Sequence, residues 1–201
     1  MSIGEKLSRE FYTRCDTLLV ARDLLGKRLV VPAPDGARMA GRIVETEAYM
    51  GAEDKASHAF GNRRTARTAM MFCEGGVAYV YLIYGMYYQF NVVTGVESVP
   101  DAVLIRAVEP EEGLELMRSR RPVKQERNLT SGPGKLCAAF GINRSYNGAD
   151  LLGEQLWIEQ GARDVKPNEI VAGPRIGIAY AEEFVEKPWR FWVRGNLYVS
   201  R

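Results

Sequence analysis

Residues 29–49 read LVVPAPDGARMAGRIVETEAY, and this stretch decides the architecture. Aliphatic residues fill 29–31, proline and glycine punctuate 32–36, and a second, mainly apolar run covers 39–48. That is the pattern of two strands joined by a turn, a hairpin from which an antiparallel sheet can grow. Side chains alternate along a strand, so Glu45 and Glu47 fall on one face of the second one. Two carboxylates in an otherwise apolar strand need a reason, because burying a carboxylate is costly unless it is paired or hydrogen-bonded. Either they lie on a solvated strand face, or one of them is a general base or stabilises developing positive charge. Arg106, also set among apolar strand residues, is the natural counter-charge.

Working outward, Leu18, Leu19, Ala21, Leu24 and Leu25 form a helical stripe that Asp16 can cap and Gly26 can end. Residues 50–75, rich in Gly, Asn and Arg, read as loop or short helix; a loop this long inside a compact domain is usually functional or disordered. Residues 77–84 and 87–94 make a second hairpin with Tyr84, Gly85 and Met86 at its tip. Further on, 102–107 reads as a buried strand and 111–120 as an amphipathic helix. A charged connector follows over 122–129, then a helical run at 136–140 behind Ser131-Gly-Pro-Gly-Lys135. Late strands are predicted at 156–158, 175–178 and 190–193. No repeat and no linker breaks the 201 residues, so one domain spanning 1–201 is expected. The predicted class is α+β: a curved, mostly antiparallel sheet with outer helices and a protruding β-hairpin.

Composition narrows the function. Apolar residues are 46% and charged residues 26% of the chain, the proportions of an ordinary soluble protein. Residues 1–10 carry charge without an apolar run, unlike a secretory signal, and no stretch approaches the roughly 20 apolar residues of a membrane span. The expected location is the cytoplasm, on the nucleoid in a bacterium, with no membrane partner; a monomer is the simplest expectation. Cys15, Cys73 and Cys137 are scattered without ligand spacing, and the single His58 cannot complete a zinc site with them. Neither a metal nor an organic cofactor is expected. The net charge of +2 names no partner. Arg63, Arg64 and Arg67 cluster, however, as do Arg118, Arg120, Arg121, Lys124 and Arg127; such groups contact phosphates or form a solvated face.

The second hairpin, Tyr79-Val-Tyr81-Leu-Ile-Tyr84-Gly-Met86-Tyr87-Tyr88, is unusually aromatic. Tyr79 and Tyr81 share a face, and core packing accounts for some of these rings. A Tyr-Gly-Met at the tip nevertheless exposes a ring and a thioether where turns carry polar residues. Apolar groups on a protruding turn suit insertion between stacked bases. Asn91, on the returning strand, can sort bases by hydrogen-bonding their edges. His58 is structural or part of a pocket with Glu47 and Tyr49. From residues alone, three readings stay open: a hydrolase acting on DNA, a carboxylate hydrolase of nucleosides or sugars, and a non-catalytic nucleic-acid binder.

An ordered series of motifs resembles the alkyladenine (3-methyladenine) DNA glycosylase family. It comprises Arg42-Ile-Val-Glu-Thr-Glu47-Ala-Tyr49, Glu53-Asp54 to His58, Met71-Phe72 and Tyr79-Val-Tyr81-Leu-Ile-Tyr84-Gly-Met-Tyr87. Asn91, Arg106-Ala107, Ser131-Gly-Pro133, Arg175-Ile-Gly177 and Arg190-Phe191 continue it in order. The resemblance runs from about residue 17 to the end. It implies a monofunctional glycosylase that flips damaged purines out of double-stranded DNA and hydrolyses the N-glycosidic bond. Glu47 then falls on the general base, with Arg106 and the backbone carbonyl of Ile176 holding the water. Tyr49, His58 and Tyr81 fall on the walls around the extruded base, and Asn91 on the residue that rejects guanine. Tyr84 falls on the side chain that fills the gap left in the duplex. Met71, Met86 and Tyr87 line that wedge, and Arg63 contacts DNA. A flipped base fits the physics, since a base inside a duplex cannot be reached.

Overall fold

The computed structural model describes residues 4–33 and 36–200. The turn expected over 32–36 includes residues 34 and 35, which lie outside the described residues. The decisive hairpin forms as β1 (Arg28–Pro32) and β2 (Arg38–Tyr49), in register from Arg28 opposite Arg42 to Pro32 opposite Arg38. Ahead of them stand α1 (Arg9–Tyr12) and α2 (Thr17–Asp23). The Asp16 carboxylate caps α2, accepting from the Leu19 N–H at 2.9 Å, and Gly26 follows with a φ of +87°.

The aromatic hairpin is β3 (Ala78–Ile83) and β4 (Tyr87–Thr94), and β5 (Asp101–Glu112) runs antiparallel to both β4 and β2. After β5 come α3 (Leu114–Arg120) and α4 (Pro133–Phe140), then the short strands β6 (Trp157–Glu159), β7 (Ile170–Gly173) and β8 (Arg190–Val193). All eight strands join one open sheet in the order β3-β4-β5-β2-β1-β6, with β8 joining β2 and β7 pairing only with β8. Every pairing is antiparallel, and helices pack outside the sheet, so the class is α+β. The core side of the sheet holds Leu24, Leu29, Ile43, Phe90, Ile105, Phe140 and Phe191, none more than 1% exposed.

Two expectations need correction. The helix expected over 111–120 starts only at Leu114, because Glu111 and Glu112 still belong to β5. Arg28 pairs with both glutamates and Arg38 with Glu112, which keeps this charged end of the strand in the sheet. Gly113, at a φ of +73°, then makes the turn into α3. The strand expected at 175–178 is an irregular bend, and the real strand precedes it at Ile170–Gly173. Arg175 is drawn out of any ladder by a carboxylate elsewhere, described below, and Gly177 has a φ of +80°.

β2 is the centre of the sheet. Its first half pairs with β1 on one edge; its second half pairs there with β8, and β5 covers the other edge throughout. The long loop that leaves β2 turns at Gly51, whose φ is +48°. A Cβ at that position would lie 2.6 Å from Asp101 Oδ1 and 3.0 Å from the Pro100 carbonyl oxygen. Gly51→Ala therefore meets both backbone strain and a fixed wall. The expected loss is about 2 kcal/mol, read as a thermal midpoint lower by about 4–8 °C in a chain of this size. An unchanged midpoint would show that the loop entry has room to relax.

Candidate active site

The two glutamates of β2 are both fully buried, which removes the solvated-face alternative. Their neighbourhoods differ. Glu45 Oε1 accepts from Arg106 Nε at 3.0 Å, Arg190 Nε at 2.7 Å and the Ser200 hydroxyl at 2.8 Å, while Oε2 accepts from the Ser200 N–H at 2.7 Å. All of these are framework groups. Glu47 Oε1 accepts from the Ile176 N–H at 2.7 Å and lies 3.2 Å from Arg106 Nη1. Its Oε2 accepts from the Tyr49 hydroxyl at 2.9 Å and from nothing else among the described residues. A carboxylate oxygen has room for two donors, so this oxygen retains acceptor capacity.

The arginine reaches both carboxylates because of irregular pairing. Glu45 faces Ala107 and Thr46 faces Ile105, which leaves Arg106 as the extra residue of β5. Such a bulge re-aims a side chain next to the ladder. Burial works against charge on Arg106, but the Glu47 and Glu45 carboxylates outweigh it and hold its pKa above the usual value.

Tyr49, Arg106 and Ile176 also line a cavity of about 220 Å³. It is smaller than the roughly 300–1,000 Å³ of sites for drug-sized ligands and suits one flat heterocycle. The structure brings Tyr49, His58, Met71, Tyr81, Tyr84, Asn91, Arg106 and Ile176 of the anticipated residues to its wall. Glu47 lies just behind the wall, under the Tyr49 hydroxyl. The rings of His58 and Tyr81 meet edge to face at 4.5 Å, and Tyr79 lies 5.2 Å from Tyr81. Asn91 sits opposite Tyr79 in the β3–β4 ladder, 4% exposed, and its side-chain amide donates to the Tyr79 carbonyl at 3.1 Å.

His58 can be assigned a tautomer from its partners. Nε2 lies 3.4 Å from Arg67 Nη2 and Nδ1 lies 2.9 Å from the Tyr79 hydroxyl. A guanidinium only donates, so Nε2 accepts and the ring proton is on Nδ1. Burial, assisted by the Arg67 charge, lowers the His58 pKa to about 4. Burial also raises the Tyr49 and Tyr81 hydroxyls above their usual range, the Glu47 charge adding to the effect on Tyr49.

Residue types alone did not reveal what holds the loop in place. Asp54 and Arg175 are completely buried and paired, with Nη2 to Oδ1 at 2.8 Å. Arg175 also donates to the Ala48 carbonyl at 2.9 Å and packs against the faces of Tyr49 and Trp189. Asp54 accepts from the Met50 and Ala56 N–H groups. The pair thereby ties the loop carrying His58 to the end of β2 and to the bend carrying Ile176. Tyr180, 66% exposed, adds a further ring at the cavity mouth that sequence reading did not single out.

Residues 10–197 match the family model for methylpurine-DNA glycosylases. The chain belongs to that family. Similar proteins include one from Alkaliphilus oremlandii, 52% identical over 204 residues that cover 98% of this chain and 99% of its own. One from Clostridium acetobutylicum is 51% identical, covering 97% of each chain, and one from Bacillus cytotoxicus is 50% identical, covering 92% and 95%. All three carry the provisional name 3-methyladenine DNA glycosylase. The activity class is thus that of a DNA N-glycosylase, with DNA as its partner.

A methylpurine-DNA glycosylase acts on DNA, so its outer face is also of interest. The β3–β4 tip turns with positive φ at Tyr84 (+52°) and Gly85 (+70°), and the Met86 N–H closes on the Ile83 carbonyl at 3.2 Å. A tyrosine held in left-handed backbone is uncommon and costs energy. Tyr84, Met86 and Tyr87 are 79%, 66% and 48% exposed. Met71, expected beside them on the wedge, is instead buried in a small cluster under Tyr79 and meets only the cavity. The reason is local: the turn Ala69–Phe72 packs inward against β3 and β4. Arg63, Arg64 and Arg67 are exposed and make no ion pair among the described residues. The second basic cluster is largely consumed internally. Arg118 pairs with Glu115 and Glu126, Arg121 donates to the Leu129 and Asn128 carbonyls, and Arg120 packs on Met39. Among the described residues no group of three His, Cys, Asp or Glu could hold a metal, and no helix is long and apolar enough to cross a membrane.

The lone histidine makes one electrostatic claim directly measurable. The unfolded chain protonates His58 near 6.5, the folded chain only near 4. Between those values the unfolded state binds the extra proton, so stability is fully present above pH 6.5 and falls as pH drops toward 4. The loss is at most about 3 kcal/mol. Ring-proton NMR should give a titration near pH 4, and urea unfolding should be flatter over this range in His58→Asn than in the wild type. A midpoint near 6.5 would disprove the burial of a neutral ring.

Proposed function

We propose that this chain extrudes a damaged purine from duplex DNA into the 220 Å³ cavity and hydrolyses its N-glycosidic bond with water activated by Glu47. The observation that carries the reading is the spare acceptor position on Glu47 Oε2, screened by a single phenol at the wall of an aromatic cavity. A purine entering beside Tyr49 draws that hydroxyl away and leaves the oxygen for water. Arg106 and the Ile176 N–H keep the other oxygen in place, and the Ile176 carbonyl serves as a second acceptor for the water.

In the reaction the C1′–N bond of the nucleotide breaks and its electron pair leaves with the purine. The sugar becomes oxocarbenium-like, a charge that a nearby carboxylate stabilises. Water oxygen bonds to C1′ and its proton passes to Glu47. A purine alkylated on a ring nitrogen already carries positive charge and departs neutral; a deaminated purine such as hypoxanthine takes up one proton from solvent as it leaves, matching the one that water gives to Glu47. Electron-rich aromatic faces favour a cationic ring by roughly 0.5–2 kcal/mol each, so the walls select for charge without demanding one shape. No lysine lines the cavity among the described residues, which supports attack by water over a Schiff base. The product is an abasic site in an intact strand. Tyr84 holds the space vacated in the stack, and Asn91 disfavours neutral guanine through its exocyclic amine, a penalty that the positive charge of an N7-alkylated guanine offsets against the tyrosine faces.

Duplexes carrying one hypoxanthine or one 7-methylguanine, followed by alkaline cleavage of abasic sites, test both parts. Glu47→Gln should lower the single-turnover rate by about 10²-fold or more; equal rates would remove Glu47 from the chemistry. Tyr84→Ala, at an exposed position, should retain the thermal midpoint and weaken lesion-duplex binding about tenfold, the loss of one to two kcal/mol expected for a stacking side chain. Unaltered binding and excision would show that the tip is no wedge.

A further inference from the structure

Arg67 has no assigned part in the reading above, yet it touches the groups that build one wall of the cavity. Its guanidinium carbon lies 5.0 Å from the centre of the Tyr81 ring, and Nη2 lies 3.4 Å from His58 Nε2. It has no carboxylate partner among the described residues. It does not line the base cavity itself; it faces a neighbouring groove on the outer flank of β3, with Tyr81 between the two spaces. Arg67 therefore backs the wall.

We propose that Arg67 is a positioning residue: its guanidinium holds His58 as the uncharged Nδ1–H tautomer, so that this wall accepts a positively charged purine as well as a neutral one. A histidine beside the cavity is a hazard for an enzyme of cationic substrates, because a protonated ring would repel them and cancel the attraction of the tyrosine faces. Two contacts prevent it. Donation from Arg67 occupies the Nε2 lone pair that a second proton would need, and Nδ1–H is committed to the Tyr79 hydroxyl. The groups facing His58 are Tyr79 and Tyr81 from β3 and Arg67 from its own loop. Tyr49 and Arg106 line the same cavity, with Glu47 behind the Tyr49 hydroxyl. Arg67 is the only cation in direct contact with the ring among the described residues, and it opposes protonation in the same direction as burial. Its own charge sits on the far side of the Tyr81 ring, where the groove gives it access to solvent.

This inference rests on the base-pocket reading, and the test separates the two. In the wild type, ¹⁵N-resolved NMR of the only histidine should show the Nδ1–H tautomer and a titration near pH 4. Arg67→Met should move the titration up toward 6.5 without reaching it, because burial persists, and Arg67→Lys should restore it. In parallel, excision of 7-methylguanine relative to hypoxanthine, each rate divided by the wild-type rate at the same pH, should fall about threefold between pH 7.5 and pH 5 in Arg67→Met. Arg67→Lys should show no such fall. A wild-type Nε2–H tautomer, or a titration and lesion ratio indifferent to Arg67→Met, overturns the proposal even where excision proceeds. A wild type that excises neither lesion overturns the base-pocket reading instead, and the ring titration still decides whether Arg67 controls His58.

Discussion

Two buried carboxylates on one strand cannot both stay charged in a protein interior without donors brought from elsewhere. Glu45 and Glu47 impose that constraint, and much of the tertiary structure answers it. Arg106 comes from β5 through a bulge, Arg190 from β8, Ser200 from the C-terminal segment, and the Ile176 N–H from the bend after β7. Removing Arg106, the arginine shared by both carboxylates, takes the charged partner from a buried ion pair, a cost of several kcal/mol in comparable settings. The donors thus bind distant segments to β2 more specifically than apolar packing does. They also divide the labour: Glu45 is saturated by framework groups, whereas Glu47 is held on one oxygen and left nearly open on the other.

The second buried pair, Asp54 with Arg175, acts at the same boundary. It joins the loop after β2 to the bend that supplies Ile176, and it backs the Tyr49 ring. The carboxylate and the cavity wall are therefore held by one connected set of ionic and hydrogen-bonded contacts. A small displacement of the loop would move His58, Tyr49 and the Glu47 donors together. Reaction geometry in such sites tolerates little displacement, which gives these structural ion pairs functional weight. The aromatic side of the cavity needs no such support, because Tyr79 and Tyr81 project from a paired strand whose register with β4 is continuous.

Much of this was legible from local pattern. The β1–β2 hairpin, the aromatic hairpin with Tyr84 at its tip and the Asp16 cap follow from period-two alternation, turn residues and a single side-chain acceptor. The shared face of Glu45 and Glu47 was legible for the same reason, and Arg106 as their counter-charge followed from its apolar surroundings. The misplaced elements have a common cause. Residues 111 and 112 carry a helix-like acidic pattern but remain in the sheet because Arg28 and Arg38, far earlier in the chain, neutralise them. Residues 175–178 look like a strand but are pulled into a bend by Asp54. Met71, which the resemblance puts on the wedge, is turned inward by packing of its own short turn.

Sequence by itself determined the hairpins, the antiparallel class, the paired carboxylates and, through an ordered set of motifs, the family. Those properties depend on neighbours two to four residues away, or on identity at many positions read together. Tertiary structure alone decided which glutamate is open, where Arg175 goes, that His58 carries its proton on Nδ1, and which basic cluster has no ion pair among the described residues. The first two are pairings between charged or hydrogen-bonding groups distant in the chain, Glu47 with Ile176 across 129 positions and Asp54 with Arg175 across 121. Such pairings have no periodic signature, since the energy that selects them arises only after the fold has excluded water from both partners.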